Sequence, residues 1–216
     1  MTAFNHVVHQ YFDSLAIRHK LQCVFSDSQI VRFANEKVFL QIRFSAHWSF
    51  EIGVEIGEIP TSADQLERPF NLTEILRLYA SPDASYVDGL QTSKPDVLTD
   101  IIKRLSVLTE KYASNLLDGL VEDFLKLRNL RDKECAEYAL SRDLKYARKN
   151  AEKAWKDKNY FAVIKAYEPF NMELTKVERK RLAYAEKHGV PSNCPDHRRN
   201  SSGSIFSTTC QNILQK

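Results

Sequence analysis

Hydrophobic side chains at the start of the chain recur every three or four residues. The positions are Phe4, Val7, Val8, Tyr11, Phe12 and Leu15. This spacing puts them on one face of a helix, so the pattern predicts an amphipathic helix at the N-terminus. We expect its apolar face to pack on the strands that follow, because a helix of this kind must cover that face with another element.

Between residues 21 and 59 the hydrophobic period becomes two, the spacing of strands with one buried face. Four strands are predicted, at residues 21–25, 30–34, 40–44 and 50–56. In the last, apolar residues alternate with polar residues or glycine, in the order Phe50, Glu51, Ile52, Gly53, Val54, Glu55, Ile56, Gly57. Short connections predict an antiparallel meander with one face in solvent. We therefore expect Ile52, Val54 and Ile56 to be buried and Glu51 and Glu55 to be exposed.

Helices are predicted beyond the strands. Asn71 and Glu74 have the spacing of a capping box and begin a short helix that ends near Ala80. After Pro95, apolar residues at helical spacing predict one long helix over residues 96–127, with a stripe wide enough to cover the sheet.

The C-terminal part of the chain is also predicted to be helical. Residues 131–158 are rich in Ala, Lys, Arg and Glu, which favour helix. A further helix is predicted at 160–170. Thr175 and Glu178 form a second capping box, and Gly189 has the place of a helix stop.

These elements predict an α+β fold. Its parts are the N-terminal helix, a four-stranded antiparallel meander covered by a long helix, then a helical C-terminal part and a disordered tail. The predicted boundaries are an α+β domain at 1–127, a basic helical region at 128–189 and the tail at 190–216. The tail is assigned to disorder because it is rich in Ser, Asn, Thr, Pro and Arg.

Composition narrows the class of protein. Hydrophobic residues make up 43% of the chain and charged residues 27%, as in ordinary globular proteins. The chain has no apolar run long enough to span a bilayer and no secretory signal, so we expect a cytoplasmic protein with no membrane partner. The cysteines are scattered and are expected to be reduced, with Cys23 and Cys135 buried.

Charge is distributed unevenly along the chain. Residues 1–125 carry 11 Lys and Arg against 17 Asp and Glu, a balance of −6, whereas residues 126–187 carry 17 against 10, a balance of +7. Such an asymmetry can steer a charged partner. The alternative is that the basic helices only need solvating charge.

Three carboxylates are the first candidate site. Glu51 and Glu55 share the outer face of the last strand with Gly53 between them, and Glu58 follows. Glycine leaves room for a partner to approach a sheet closely, so we interpret this face as a partner-binding surface. The alternatives are a solvated face, a metal site or a pair of carboxylates for acid–base catalysis.

The basic helices are the second candidate site. Possible nucleic-acid contacts are Lys145, Arg148, Lys149, Lys153, Arg179 and Lys180. Aromatic side chains interleave with these cations and could stack on bases while the cations meet phosphates; they are Tyr138, Tyr146, Trp155, Tyr160 and Tyr184.

Two groups contain metal-binding side chains, but neither has a typical spacing. His6, His9 and Asp13 share the polar side of the first helix, without the four-residue spacing of a metalloprotease His pair. Cys194 and His197 are separated by two residues, but Cys210 has no near neighbour, unlike the paired ligands of structural zinc sites. We therefore expect no cofactor and no bound metal.

One stretch resembles a known group of proteins. Residues 159–188 contain Tyr167-Glu168-Pro169, Leu174-Thr175, Tyr184-Ala185 and Lys187-His188. They resemble the C-terminal helical hairpin of small uncharacterised bacterial proteins, some of which are encoded beside toxin genes and proposed to be immunity proteins. The resemblance implies a non-catalytic binder of one toxin and transfers no functional residue.

Three functional classes follow. The first is a non-catalytic protein-binding protein, such as an immunity-type inhibitor that occludes a toxin or another partner. The second is a nucleic-acid-binding protein that uses the basic helices. The third is an enzyme of unrecognised type, although the sequence has no nucleophile elbow, P-loop or dinucleotide-binding glycine motif.

Overall fold

The computed structural model describes residues 4–62 and 66–189, and the chain divides after Arg131 into two compact units. The elements of the first unit, in chain order, are α1 (Phe4–Arg18), β1 (Gln22–Ser26), β2 (Ile30–Ala34), β3 (Val38–Phe44), β4 (Ile52–Glu58), β5 (Phe70–Asn71), α2 (Leu72–Leu78), α3 (Ala84–Val87) and α4 (Pro95–Leu117). Helix α5 (Val121–Lys156) contributes its first part to the first unit and the rest to the second. The second unit continues with α6 (Tyr160–Tyr167), a 3₁₀ helix (Glu168–Glu173) and α7 (Lys176–His188).

The first unit is built on a meander in which every strand pairs antiparallel with the next, in the order β1-β2-β3-β4-β5. The α+β class is confirmed, and so is the burial of Ile52, Val54 and Ile56. These three side chains lie on the inner face of the sheet. Helices α1 and α4 cover this face and bury large side chains such as Phe12 and Leu105. The sheet has five strands rather than four. The fifth has only two residues, too few to show a period of two.

The predicted helix over 96–127 is wrong. Helix α4 ends at Leu117, where Gly119 has a φ of +76°. The amide of Gly119 donates to the carbonyl of Leu116, and the amide of Leu120 donates to that of Asn115, which together form a Schellman motif. Helix α5 then runs without a break across the predicted boundary at 127. Apolar spacing continues through the turn, so periodicity alone does not show the break.

The second unit packs three helices around a core of alanine and aliphatic side chains together with one tyrosine. Its buried residues are Leu144, Ala151, Ala154, Val163, Tyr167, Leu174, Leu182 and Ala185. The capping box at Thr175 and Glu178 is confirmed, as is the one at Asn71 and Glu74 in the first unit. Helix α7 ends at His188, and Gly189 is its C-cap, where a Cβ would lie only 2.6 Å from the carbonyl oxygen of Ala185. The predicted disordered tail at 190–216 lies outside the described residues.

Candidate functional site

The three predicted partner-binding carboxylates have different environments. Glu51 is exposed as expected, with a long hydrogen bond of 3.4 Å from Gln91 Nε2. The expectation that Glu55 is exposed is wrong, because its side chain retains 22% of its accessible surface. Its oxygens accept hydrogen bonds from Arg43 Nη1 at 3.0 Å and from Gln41 Nε2 at 3.1 Å.

Glu58 is also paired. Arg128 Nη1 donates to its Oε2 at 2.8 Å, so α5 contributes a cation to the end of β4. Two of the three carboxylates are therefore held in ion pairs on the sheet surface, and Glu51 is the member of the group whose described contacts include no cation. Period-two spacing places residues on the correct face of a strand but does not identify the residues that face them from neighbouring strands and helices.

The two glycines of β4 also differ. A Cβ built on Gly53 would meet no atom within 4 Å, so the sheet is open there. At Gly57 a Cβ would lie 2.6 Å from two ring atoms of Phe39 and 3.3 Å from the Cα of Pro69. The expected room for a partner is thus present at Gly53, whereas at Gly57 the Phe39 ring and Pro69 of the chain itself fill that room.

Side chains hold Phe39 over Gly57. The guanidinium of Arg32 lies 3.8 Å from the centroid of the buried Phe39 ring. Glu67 accepts two hydrogen bonds from that guanidinium, at 2.6 and 3.0 Å. This end of the outer face is therefore covered by packed side chains.

The loop between β3 and β4, residues 45–50, carries a fully displayed indole ring. Trp48 is 90% exposed. Phe50, two residues further on, has a φ of +53°, a left-handed conformation that is costly for a residue with a side chain. We call residues 45–50 the Trp48 loop. The prediction that Phe50 begins the last strand is wrong, because β4 begins at Ile52. Trp48 lies in the predicted connection before that strand, where no hydrophobic period marks a residue.

Backbone hydrogen bonds hold the Trp48 loop at both ends. The amide of Phe50 donates to the carbonyl of Ser45 at 2.9 Å, and the carbonyl of Phe50 accepts from the amide of Thr92 at 3.1 Å. Glu51 pairs with Gln91 in an isolated antiparallel bridge. The strained residue is thereby fixed from two sides, and Trp48 projects from an anchored turn.

A shallow groove of about 530 Å³ lies beside this loop. We call it the sheet groove; its lining includes Arg43, Ser45, Glu51, Gly53, Glu55, Asp88 and Leu90. Three carboxylates and one guanidinium line the groove, so the net charge of its lining is −2. Open space at Gly53 and negative charge therefore lie beside the loop that carries Trp48, because Ser45 of that loop also lines the groove.

The predicted nucleic-acid contacts separate into two kinds. Lys145, Lys149 and Lys153 are exposed on α5, and Arg179 and Lys180 are exposed on α7. Arg148 instead donates to both carboxylate oxygens of Glu178, at 2.7 and 3.3 Å. Burial alone would raise the pKa of Glu178, but the hydrogen bonds from Arg148 and Thr175 outweigh it and lower that pKa. Arg148 therefore ties α7 to α5.

The aromatic residues predicted to stack on bases also fall into two groups, one packed together and one exposed. Trp155, Tyr160 and Tyr184 form a triangle of edge-to-face rings whose centroids are 5.5 to 5.7 Å apart. Burial, and then the neighbouring Tyr184, raise the pKa of Tyr160. Tyr138 and Tyr146 stand apart from this cluster and are 65% and 62% exposed.

The metal-binding candidates have other contacts. His9 Nδ1 lies 2.8 Å from Asp13 Oδ1, and His9 Nε2 lies 3.2 Å from Ser26 Oγ, so both ring nitrogens are used. Among residues 4–62 and 66–189, no three His, Cys, Asp or Glu side chains form a metal-binding group. Cys194, His197 and Cys210 lie outside these residues.

Cys23 is exposed, which contradicts its predicted burial. Strand β1 forms one edge of the sheet, and all of its residues are exposed. A bulge between Cys23 and Phe25 also interrupts the pairing with β2. Cys135 is half-buried.

Helices in the described part of the chain include none that is both long enough and apolar enough to cross a bilayer. Comparison of the chain with protein-family models, with curated proteins and with solved structures finds no match.

Proposed function

We propose that this protein is a non-catalytic protein-binding protein whose partner docks on the Trp48 loop and the sheet groove. The observation that carries the proposal is the 90% exposure of Trp48 on a loop anchored at both ends. Tryptophan is enriched among the few interface residues that supply most of the binding energy. An indole ring displayed to water in the free protein gains most when a partner covers it.

The backbone around Trp48 supports the same proposal. A residue held at positive φ, such as Phe50, costs about 1–3 kcal/mol, and such residues cluster at sites that bind ligands. The surrounding hydrogen bonds maintain the strained turn, so the loop loses little conformational entropy when the partner binds. Preorganisation of this kind increases affinity.

Charge indicates the chemistry of the partner. The lining of the sheet groove has a net charge of −2, and Glu51 lies where the groove meets the Trp48 loop. Complementary charge mainly speeds association and restricts partner choice. The partner should therefore present a basic surface with an apolar pocket for the indole ring. A nuclease toxin, which is positive where it holds nucleic acid, has such a surface, so an immunity-type inhibitor is the specific form of the proposal.

The experiment compares variants of the full chain as baits in a lysate of the encoding organism. Trp48→Ala and Glu51→Lys are the test variants. Ile17→Ala and Asp100→Lys are the controls, because they make matching changes at exposed positions in α1 and α4. We expect wild type and both controls to retain one partner and Trp48→Ala to lose it, since a dominant interface residue contributes about 2 kcal/mol or more, roughly 30-fold in affinity.

Purified partner then tests the role of charge. Glu51→Lys should slow association, and added salt should reduce the difference from wild type. If the partner is a toxin, wild-type protein should inhibit it at equal concentration and Trp48→Ala should not. Equal binding by Trp48→Ala and wild type, or the absence of any partner that distinguishes them, contradicts the proposal.

A further inference from the structure

The solvent-facing side of α5 in the second unit carries a continuous row of cations and tyrosines. Leu144, Ala147, Ala151 and Ala154 mark the buried side of this helix. At 100° per residue, the opposite side contains Tyr138, Arg142, Lys145, Tyr146, Lys149, Glu152, Lys153 and Lys156. We call this row the α5 stripe. All its members are exposed except Arg142, which is half-buried.

Charge along the α5 stripe is almost entirely positive. Glu152 is its one acid within the described helix, and it pairs with Lys156 at 3.0 Å. Arg142 Nε donates to Asp143 at 2.9 Å. Lys145, Lys149 and Lys153 follow one another at intervals of four residues, roughly 6 Å along the helix axis. Three cations therefore stand in a line whose spacing the helix fixes.

The two tyrosines lie within the same row. Tyr138 and Tyr146 are each one helical turn from Arg142 and remain more than 60% exposed. The pKa of Arg142 is raised first by its hydrogen bond to Asp143 and further by the nearby Tyr138 and Tyr146. The rings of Tyr138 and Tyr146 do not belong to the hydrophobic core of the second unit, whereas Tyr167 does. Both rings are therefore available to stack on a planar group.

We propose that the α5 stripe binds single-stranded nucleic acid. Its lysines contact the phosphates, and Tyr138 and Tyr146 stack on unpaired bases. This combination of a charged track and aromatic platforms is how proteins bind single strands without reading sequence. In a duplex the bases are stacked on one another, so no base face is free to stack on the tyrosines. A membrane-surface helix needs a broad apolar face, whereas the stripe has only two aromatic rings.

The contacts of the second unit decide which basic residues belong to the surface. Arg148 is excluded because its guanidinium is bonded to Glu178. Arg179 and Lys180 are on α7 and are not needed for the row on α5. The proposal differs from the protein-binding function of the Trp48 loop in both surface and ligand, so each can fail without the other.

The first measurement is binding of the full chain to fluorescently labelled oligo(dT), followed by anisotropy over a salt series. If the stripe neutralises three or four phosphates, log K should fall with log[salt] with a slope of about −2 to −3. Duplex DNA of the same length, phosphatidylserine vesicles and polyglutamate serve as competitors. Oligo(dT) should bind most tightly; equal or tighter binding of any competitor contradicts the proposal.

The second measurement uses a pair of variants with the same net charge. The test variant is Lys145→Glu/Lys149→Glu/Lys153→Glu, and the control is Lys20→Glu/Lys94→Glu/Lys103→Glu in the first unit. Each takes the net charge from +3 to −3, because each reversal changes it by two. The test variant should lose at least ten-fold more affinity than the control. A Lys→Gln triple at the same stripe positions repeats the test without introducing acids.

The tyrosines are tested separately from the charge. Tyr138→Ala and Tyr146→Ala should each weaken binding about five-fold or more, whereas Tyr→Phe at either position should bind as wild type does, because stacking needs only the ring. Trp48→Ala, which removes a more exposed ring outside the stripe, should leave oligo(dT) binding unchanged. If the charge variants bind equally, or if Ala and Phe substitutions have the same effect, the α5 stripe does not bind single strands as proposed.

Discussion

The two units of this chain are stabilised in different ways. The first closes a sheet and several helices over a core of large aliphatic and aromatic side chains, such as Phe12, Leu40 and Ile102. The second has alanine at three of its core positions, 151, 154 and 185, and adds the ion pair between Arg148 and Glu178. Alanine buries less apolar surface than isoleucine or phenylalanine, so each of these three positions contributes less to stability than a typical core position of the first unit.

This difference also determines where charge remains available. In the first unit, tertiary contacts bring cations to the acidic strand, so Glu55 and Glu58 are paired. In the second, helix packing directs the alanine face inward and leaves a row of lysines on the outside. An unpaired charge on a surface is thus a result of packing and not of local composition.

The largest expected effect is on the core of the first unit. Ile56 is fully buried and lies opposite Leu40 in the sheet. Ile56→Ala should lower the free energy of unfolding by about 2–5 kcal/mol, because it removes apolar contacts and leaves a cavity. Hydrogen exchange of the β3 and β4 amides measures the change. Ile17→Ala, at a position 75% exposed, is the control and should shift stability by no more than about 0.5 kcal/mol.

The two glycines of β4 test whether the outer face is filled at one end and open at the other. Gly57→Ala should cost about 1–3 kcal/mol, because its Cβ would overlap the Phe39 ring held under Arg32. Gly53→Ala should remain within about 0.5 kcal/mol of wild type or gain stability, since alanine restricts the unfolded chain. Urea denaturation compares the two variants. Equal effects would show that Phe39 does not fill the face.

The smallest effect is expected in the second unit. Glu178→Gln should cost about 1 kcal/mol at neutral pH, because Gln preserves the capping box but loses the ion pair with partly exposed Arg148. Fluorescence of Trp155, which packs against Tyr160 and Tyr184, reports unfolding of this unit in urea. Glu186→Gln, exposed on α7, is the control and should be nearly neutral.

In the wild type, acid should remove the contribution of the Glu178 ion pair to the stability of the second unit. The pKa of Glu178 is lowered on folding, so the unfolded chain binds its proton more tightly. Its stabilisation is complete above its ordinary pKa of 4.5 and is lost as the pH falls below that value. Glu178→Gln should therefore differ from wild type at pH 7 and converge with it in acid. A constant difference across this range would mean that the ion pair does not stabilise the unit.

Local signals in the sequence were sufficient for the helix caps and for the inner face of the sheet, but they did not show the break at Gly119 or the two-residue strand β5. The capping boxes at Asn71 and Thr175 need residues only three positions apart, and the burial of Ile52, Val54 and Ile56 follows from alternation within one strand. The α+β class follows from the order of the elements. In each case the physical cause acts within a few residues, so the sequence displays it directly.

The tertiary structure alone decided the features that bear on function. Glu55, Glu58 and Arg148 are paired by residues 12, 70 and 30 positions away, and Gly57 is covered by Phe39 from the neighbouring strand. The loop that carries the exposed Trp48 is anchored by residues 90–92, and the α5 stripe is exposed because Leu144 and three alanines take the buried side of the helix. Whether a charged side chain is paired or exposed depends on which residues from distant parts of the sequence pack against it. The spacing of residue types along the sequence does not specify those contacts.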